Sequence, residues 1–139
     1  MKRSICVITG SRADFGHLYW ILKHIQHDSS LQLQLVVTGM HLSKEFGSTH
    51  KMIEQEGFRI NKKIDLLKFD FSETGTTKAI GLGCQLFADA FRELKPDMVV
   101  ILGDRFEMLS AAIAAYVAKI AIAHIHGGER TEGVIDEGI

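Results

Sequence analysis

Proline and cysteine are nearly missing from this chain: 139 residues hold one of the first and two of the second. The lone proline, Pro96, lies in no glycine- or serine-rich stretch, and no repeat or low-complexity segment interrupts the sequence. Nothing therefore reads as an interdomain linker. Cys6 lies in an apolar, strand-like run and Cys84 in a helical pattern, with no C-x-x-C, so both read as packing residues and a disulfide scaffold is excluded. Long apolar runs are missing too. The start, MKRSICVITGSR, is basic but its apolar run is too short for a signal peptide, and nothing later approaches membrane-spanning length. The expected compartment is a reducing cytoplasm. An excess of one charge is also absent: sixteen basic residues face seventeen acidic ones. Neither nucleic acid nor a membrane surface is an expected partner, and any anion recognition must be local.

What is present suits one globular domain, long enough for a real core and short for a complete two-domain enzyme: 46% of residues are apolar and 24% charged. Strand and helix patterns alternate along it. Ser4 to Thr9, Leu31 to Val37, Met98 to Leu102 and Ile120 to His124 read as strands, with a weaker one over Phe58 to Ile64. Helical spacing covers residues 17–27, about Thr49 to Glu56, about Thr76 to Leu94 with Pro96 beyond its end, and Phe106 to Lys119. Such alternation implies right-handed βαβ units and a parallel, doubly wound sheet with helices on both faces. The last residues, GVIDEGI, read as the start of a further helix.

Ligands of such sheets bind outside the carboxyl ends of the strands. Four loops leave those ends: GSRADFG (10–16), TGMHLS (38–43), GDRFE (103–107) and HGGERTEG (126–133). They bring Arg12, Asp14, His41, Asp104, Arg105, His126 and Glu129 to one rim. The first loop resembles a phosphate turn at a helix start, yet matches neither the dinucleotide nor the P-loop pattern; a plain tight turn stays open. His41 alone reads as structural. Asp104 reads as a helix N-cap that can still face the rim, Arg105 offers a planar fork for phosphate or carboxylate, and Glu107 suits the helix dipole without needing a function.

The stretch HIHGGERTEG concentrates the polar chemistry. His124 and His126 share a face if the strand continues. With Asp104, Glu129 or Asp136 they offer ligands of the kind zinc or manganese takes. No second close-spaced pair such as H-x-x-x-H accompanies them, so no metal is expected. The Gly127–Gly128 pair suggests that backbone approaches a ligand closely.

Four ordered blocks, TGSRADFG, LVVTGMHLS with EFGSTHKMIEQEGF, LKPDMVVILGDRFE and HIHGGERTEGVIDE, resemble the N-terminal half of the hydrolysing UDP-N-acetylglucosamine 2-epimerases of sialic-acid biosynthesis. The resemblance implies a Rossmann-like domain, residues 1–139, forming one wall of a two-domain GT-B cleft. It implies conversion of UDP-GlcNAc and water to N-acetylmannosamine and UDP, with no cofactor, by a homo-oligomer (dimer or tetramer), and an isolated fragment that does not turn over. Carried over by position, Asp104, His126 and Asp136 are the catalytic residues. Arg12, Arg105, Gly127, Gly128 and Glu129 lie on the substrate or UDP side. Many relatives read H-I-E-G-G-E where this chain has His126, and an imidazole can also move protons near neutral pH. The same reaction on a UDP-2,4-diacetamido-trideoxyhexose, a GT-B glycosyltransferase half and a non-catalytic sugar-nucleotide binder are the alternatives.

Overall fold

Alternation along β1 (Arg3–Thr9) decides the architecture. Ile5 and Val7 fall on one face of it and Cys6 and Ile8 on the other, and all four are buried. A strand buried on both faces must be covered twice. The computed structural model, which describes residues 1–129, 132, 133, 138 and 139, shows that covering. β2 (Leu31–Thr38), β3 (Lys62–Ile64), β4 (Met98–Leu102) and β5 (Ala121–Ile125) join β1 in the order β3-β2-β1-β4-β5, every pair parallel. Helices α1 (Arg12–His27) and α2 (His50–Gln55) lie over Ile5, Val7, Leu35, Val37, Val100 and Leu102. Helices α3 (Glu73–Leu94) and α4 (Phe106–Val117) lie over Cys6, Ile8, Val36, Val99 and Ile101. Each fully buried side chain, such as Leu18 or Phe87, adds about 1.5–3 kcal/mol of burial energy to this sandwich.

Three element boundaries differ from the sequence reading by three residues or more, each for a local reason. α1 begins at Arg12 instead of residue 17, because Ser11 caps it. α3 begins at Glu73, three residues early, where the Ser72 hydroxyl accepts a hydrogen bond from the Gly75 amide at 3.0 Å. β3 keeps only three residues of the expected seven. Phe58 leaves the strand to pack edge-on against Phe15, ring centroids 5.8 Å apart, and Asn61 substitutes for a ladder rung: its side chain accepts from the Leu35 amide at 2.8 Å. Among the described residues no helix is long and apolar enough to cross a membrane.

Candidate active site

Strand exits meet at the carboxyl edge of the sheet. β1 turns directly into α1, with the Ser11 hydroxyl accepting from the Asp14 amide at 3.2 Å and Asp14 Oδ2 accepting from the Gly10 amide at 3.3 Å. This reciprocal cap sets the positive end of the α1 dipole, with its unsatisfied first amides, at the rim. Arg12, the first helical residue, stands there exposed.

β2 leaves through a short 3-10 turn, Gly39–Leu42, that buries His41 completely. Thr9 Oγ1 and His41 Nε2 share a hydrogen bond of 2.9 Å, His41 Nδ1 and Thr49 Oγ1 one of 2.7 Å, and the His50 Nδ1–H donates to the His41 carbonyl at 3.0 Å. One ring nitrogen donates and the other accepts, and each hydroxyl can play either part. His41 is thus a structural histidine that pins the β2 exit to β1. Burial, with the neighbouring His50 charge adding to it, pushes this imidazole down from 6.5 to about 4. The unfolded chain takes up a proton near pH 6.5 that the folded chain refuses until near pH 4. The stabilisation is therefore complete above that window and lost as pH falls through it. Urea midpoints measured between about pH 7 and pH 4.5 should fall, and His41→Gln, which cannot titrate, should show a shallower fall. Equal slopes in the two proteins would remove His41 as the source.

β4 leaves through Gly103, Asp104 and Arg105. The expected cap at Asp104 does not form: the cap position of α4 is Arg105, with φ −70 and ψ 154, and no side chain caps it. Asp104 stands half-buried one residue earlier. Arg105 turns back onto Glu107, its Nε–H donating to Oε2 at 3.2 Å and its Nη2 to Oε1 at 3.1 Å. The Glu107 side chain is 0% exposed and that of Arg105 is 31% exposed. Sequence reasoning gave Glu107 no task beyond the helix dipole. Residues i and i+2 do not face each other on a helix, but Arg105 has extended backbone, so that rule does not reach it.

β5 ends at Ile125 beside the β4 exit. The Gly103 amide donates to the Ile125 carbonyl at 3.0 Å, and His124 Nε2 donates to the Gly103 carbonyl at 2.6 Å. His126 has φ 57 and begins a turn, so it does not share a strand face with His124 as expected. Its Nδ1 lies 2.6 Å from Glu129 Oε1, both side chains being exposed. The glycine pair has a reason inside the chain. A Cβ on Gly127 would sit 2.6 Å from His124 Nδ1, and Gly128 has φ +81. Gly103 and Ile125 being bonded neighbours, Asp104 and His126 leave adjacent strand ends. Asp136 lies outside the described residues. Among the described residues no three His, Cys, Asp or Glu side chains are placed to hold one metal ion.

Three of these exits share a cavity of about 450 Å³, lined by Ser11, Arg12 and Ala13 from the β1 exit, Met40, Phe46 and Thr49 from the β2 exit, and Arg105. Its size suits a small ligand. Arg12 and Arg105, far apart in sequence, are brought together on it; His126 and Glu129 are not among its walls. A wider hollow of about 610 Å³, around Tyr116, Val117 and Ala121, opens at the other edge of the sheet, away from these groups.

Comparison with known proteins places this arrangement. The chain is 47% identical over 138 residues to the GDP/UDP-N,N'-diacetylbacillosamine 2-epimerase (hydrolyzing) of Campylobacter jejuni, a match over 99% of this chain and 36% of that protein. It is 40% identical over 137 residues to the UDP-N,N'-diacetylbacillosamine 2-epimerase (hydrolyzing) of Legionella pneumophila, over 99% of this chain and 36% of that one. The chain thus spans about a third of the length of these relatives. In fold it is similar to the crystal structure of the UDP-GlcNAc 2-epimerase of Neisseria meningitidis bound to UDP-GlcNAc, with a TM-score of 0.82 and 19% identity over 97% of this chain and 36% of that one. The family model described as UDP-N-acetylglucosamine 2-epimerase matches residues 23–139, and the chain belongs to that family.

Proposed function

We propose that this chain is the N-terminal domain of a two-domain GT-B enzyme of the cytoplasm, a hydrolysing UDP-sugar 2-epimerase that works as a homo-oligomer. The observation that carries the reading is the convergence of Arg12, Arg105 and the α1 N-terminus on one cavity, in a chain of this family. Two guanidinium groups and a helix start suit a diphosphate, whose charge grows as it leaves.

The proposed chemistry has two steps. A base takes the proton from C2 of the sugar while the C1–O bond breaks and its electron pair departs with UDP, leaving a C1=C2 glycal. Water then adds its oxygen to C1, and a proton reaches C2 from the opposite face, giving the free 2-epimeric sugar. Loss of the C2 proton must be coupled to departure of UDP, because that hydrogen is not acidic by itself. Asp104, His126 and Asp136 carry the protons in this proposal, and the carboxylates among them steady the positive charge developing in the ring. Gly127, Gly128 and Glu129 line the sugar side. Glu129, through its contact with His126, also orients that imidazole.

Two relatives named for N,N'-diacetylbacillosamine, at 47% and 40% identity, favour a UDP-2,4-diacetamido sugar as substrate. UDP-GlcNAc is the second reading, supported by 36% identity over 139 residues to a UDP-N-acetylglucosamine 2-epimerase of Neisseria meningitidis. In full-length protein carrying this chain, kcat/KM for UDP release should be at least about tenfold higher with UDP-N,N'-diacetylbacillosamine than with UDP-GlcNAc, since a site built for a second acetamido group leaves polar groups unpaired without it. An equal or reversed ratio would return the assignment to UDP-GlcNAc. Absence of UDP and of reducing sugar with both would sink the epimerase reading.

A further inference from the structure

Glu107 is a buried carboxylate that the proposed reaction does not use. Its side chain has no exposed surface, yet it takes two hydrogen bonds from an arginine that lines the cavity. Isolated from water, a carboxylate is costly unless paired, and a buried pair is often no better for stability than apolar packing of equal volume. The fold has nevertheless shaped itself around this one. Glycine at position 39 leaves the room the carboxylate fills: a Cβ there would lie 2.6 Å from Glu107 Oε1 and 2.8 Å from the Gly10 carbonyl. The carboxylate is therefore wedged under the β1 and β2 exits, on the rigid first turn of α4.

We propose that Glu107 is a positioning residue: it fixes the plane of the Arg105 guanidinium at the cavity wall so that the cation meets a diphosphate already oriented. The proposal rests on the reading of that cavity as the UDP site. A free arginine side chain samples many rotamers and loses that freedom when it binds. Two parallel bonds from one carboxylate set both the direction and the tilt of the fork in advance. Glu107 never touches the ligand in this arrangement; it acts through Arg105. It also offsets the Arg105 charge, so that Arg105 works as a directional donor and Arg12, exposed at the α1 start, adds net positive charge.

The test is a double-mutant cycle in the full-length protein, read as UDP affinity by calorimetry and as kcat/KM. Glu107→Gln keeps the shape and replaces one acceptor oxygen by an amide donor, so one of the two bonds is lost. It should weaken UDP binding and lower kcat/KM by about tenfold to a hundredfold, with the loss falling in kcat as well as KM. In an Arg105→Ala background the same change should alter either quantity by less than about twofold, the signature of an effect that runs through the arginine. Equal factors in both backgrounds, or no loss in the native one, would overturn the positioning role. If Glu107→Gln does not fold, Arg105→Lys takes its place. It keeps the charge and loses the fork, and undiminished UDP affinity in that variant would overturn the proposal. A wild type that binds UDP but fails the cycle refutes the positioning alone. One that binds no UDP refutes the cavity assignment beneath it.

Discussion

Full-length enzyme carrying His126→Ala should lose most of its turnover, about 10²–10⁴-fold in kcat, the range typical of a lost proton-transfer group. The expectation joins a resemblance to a geometry. The family pattern that the sequence resembles reads H-I-E-G-G-E, with glutamate where His126 stands, and the proposed reaction gives that position proton transfer or stabilisation of charge in the ring. In this chain His126 is the first residue past β5, bonded through Nδ1 to Glu129 at 2.6 Å, at a strand exit tied to the one that carries Asp104. A carboxylate partner on one ring nitrogen fixes the tautomer and leaves Nε2 for substrate, as in the Ser-His-Asp arrangement, where a carboxylate orients the general-base histidine. His126→Glu should recover part of the activity. It restores a proton carrier, but at φ 57 a glutamate is less at ease than histidine, and the new carboxylate would face Glu129. Dialysis against EDTA should leave the rate unchanged, because the imidazole is assigned to proton transfer and not to a metal. Activity lost to the chelator and restored by zinc or manganese would overturn this assignment, and normal turnover in His126→Ala would reduce the stretch to a polar turn.

How far the sequence reveals such a site depends on whether the signal is local. Most strands and helices among the described residues were legible because each carries its own local pattern: Ile5, Cys6, Val7 and Ile8 form an unbroken apolar run too short for a helix, and Leu18, Leu22 and Ile25 recur at helical spacing. The arrival of Arg12 and Arg105 at one rim was legible as well, since parallel topology alone brings strand exits together. The start of α1 was missed although Ser11 and Asp14 stand at capping-box spacing, because glycine on either side reads as a turn. The Arg105–Glu107 pair was hidden for a different reason. Spacing rules for side-chain pairs assume regular backbone, and here a single extended residue at the head of α4 breaks that assumption. The reason for Gly39 was beyond any local pattern, because it is a contact between elements almost seventy residues apart, which the fold alone creates.

That contact gives the second large expected effect. Gly39→Ala should destabilise the protein by about 2–5 kcal/mol, through a left-handed backbone term of about 1–2 kcal/mol and an overpacking term of about 1–3 kcal/mol. The backbone term follows from φ +60, a conformation in which any Cβ crowds the following carbonyl. The second term is particular to this site. The added methyl group would stand 2.6 Å from Glu107 Oε1 and 2.8 Å from the Gly10 carbonyl, and neither is the free end of a flexible chain: one is held by Arg105, the other is backbone. Gly47→Ala separates the two terms. Gly47 has φ +82 but open space around it, so its variant should show the backbone cost alone. Urea unfolding of both variants would read the difference, since a change in midpoint at constant slope reports stability directly. Equal losses at the two glycines would mean that the carboxylate shifts freely. Glu107 would then not be wedged, and its hold on Arg105 would be too loose to orient the guanidinium. A clear excess at Gly39, together with weakened UDP binding, would tie the packing under the β2 exit to the cation at the cavity wall.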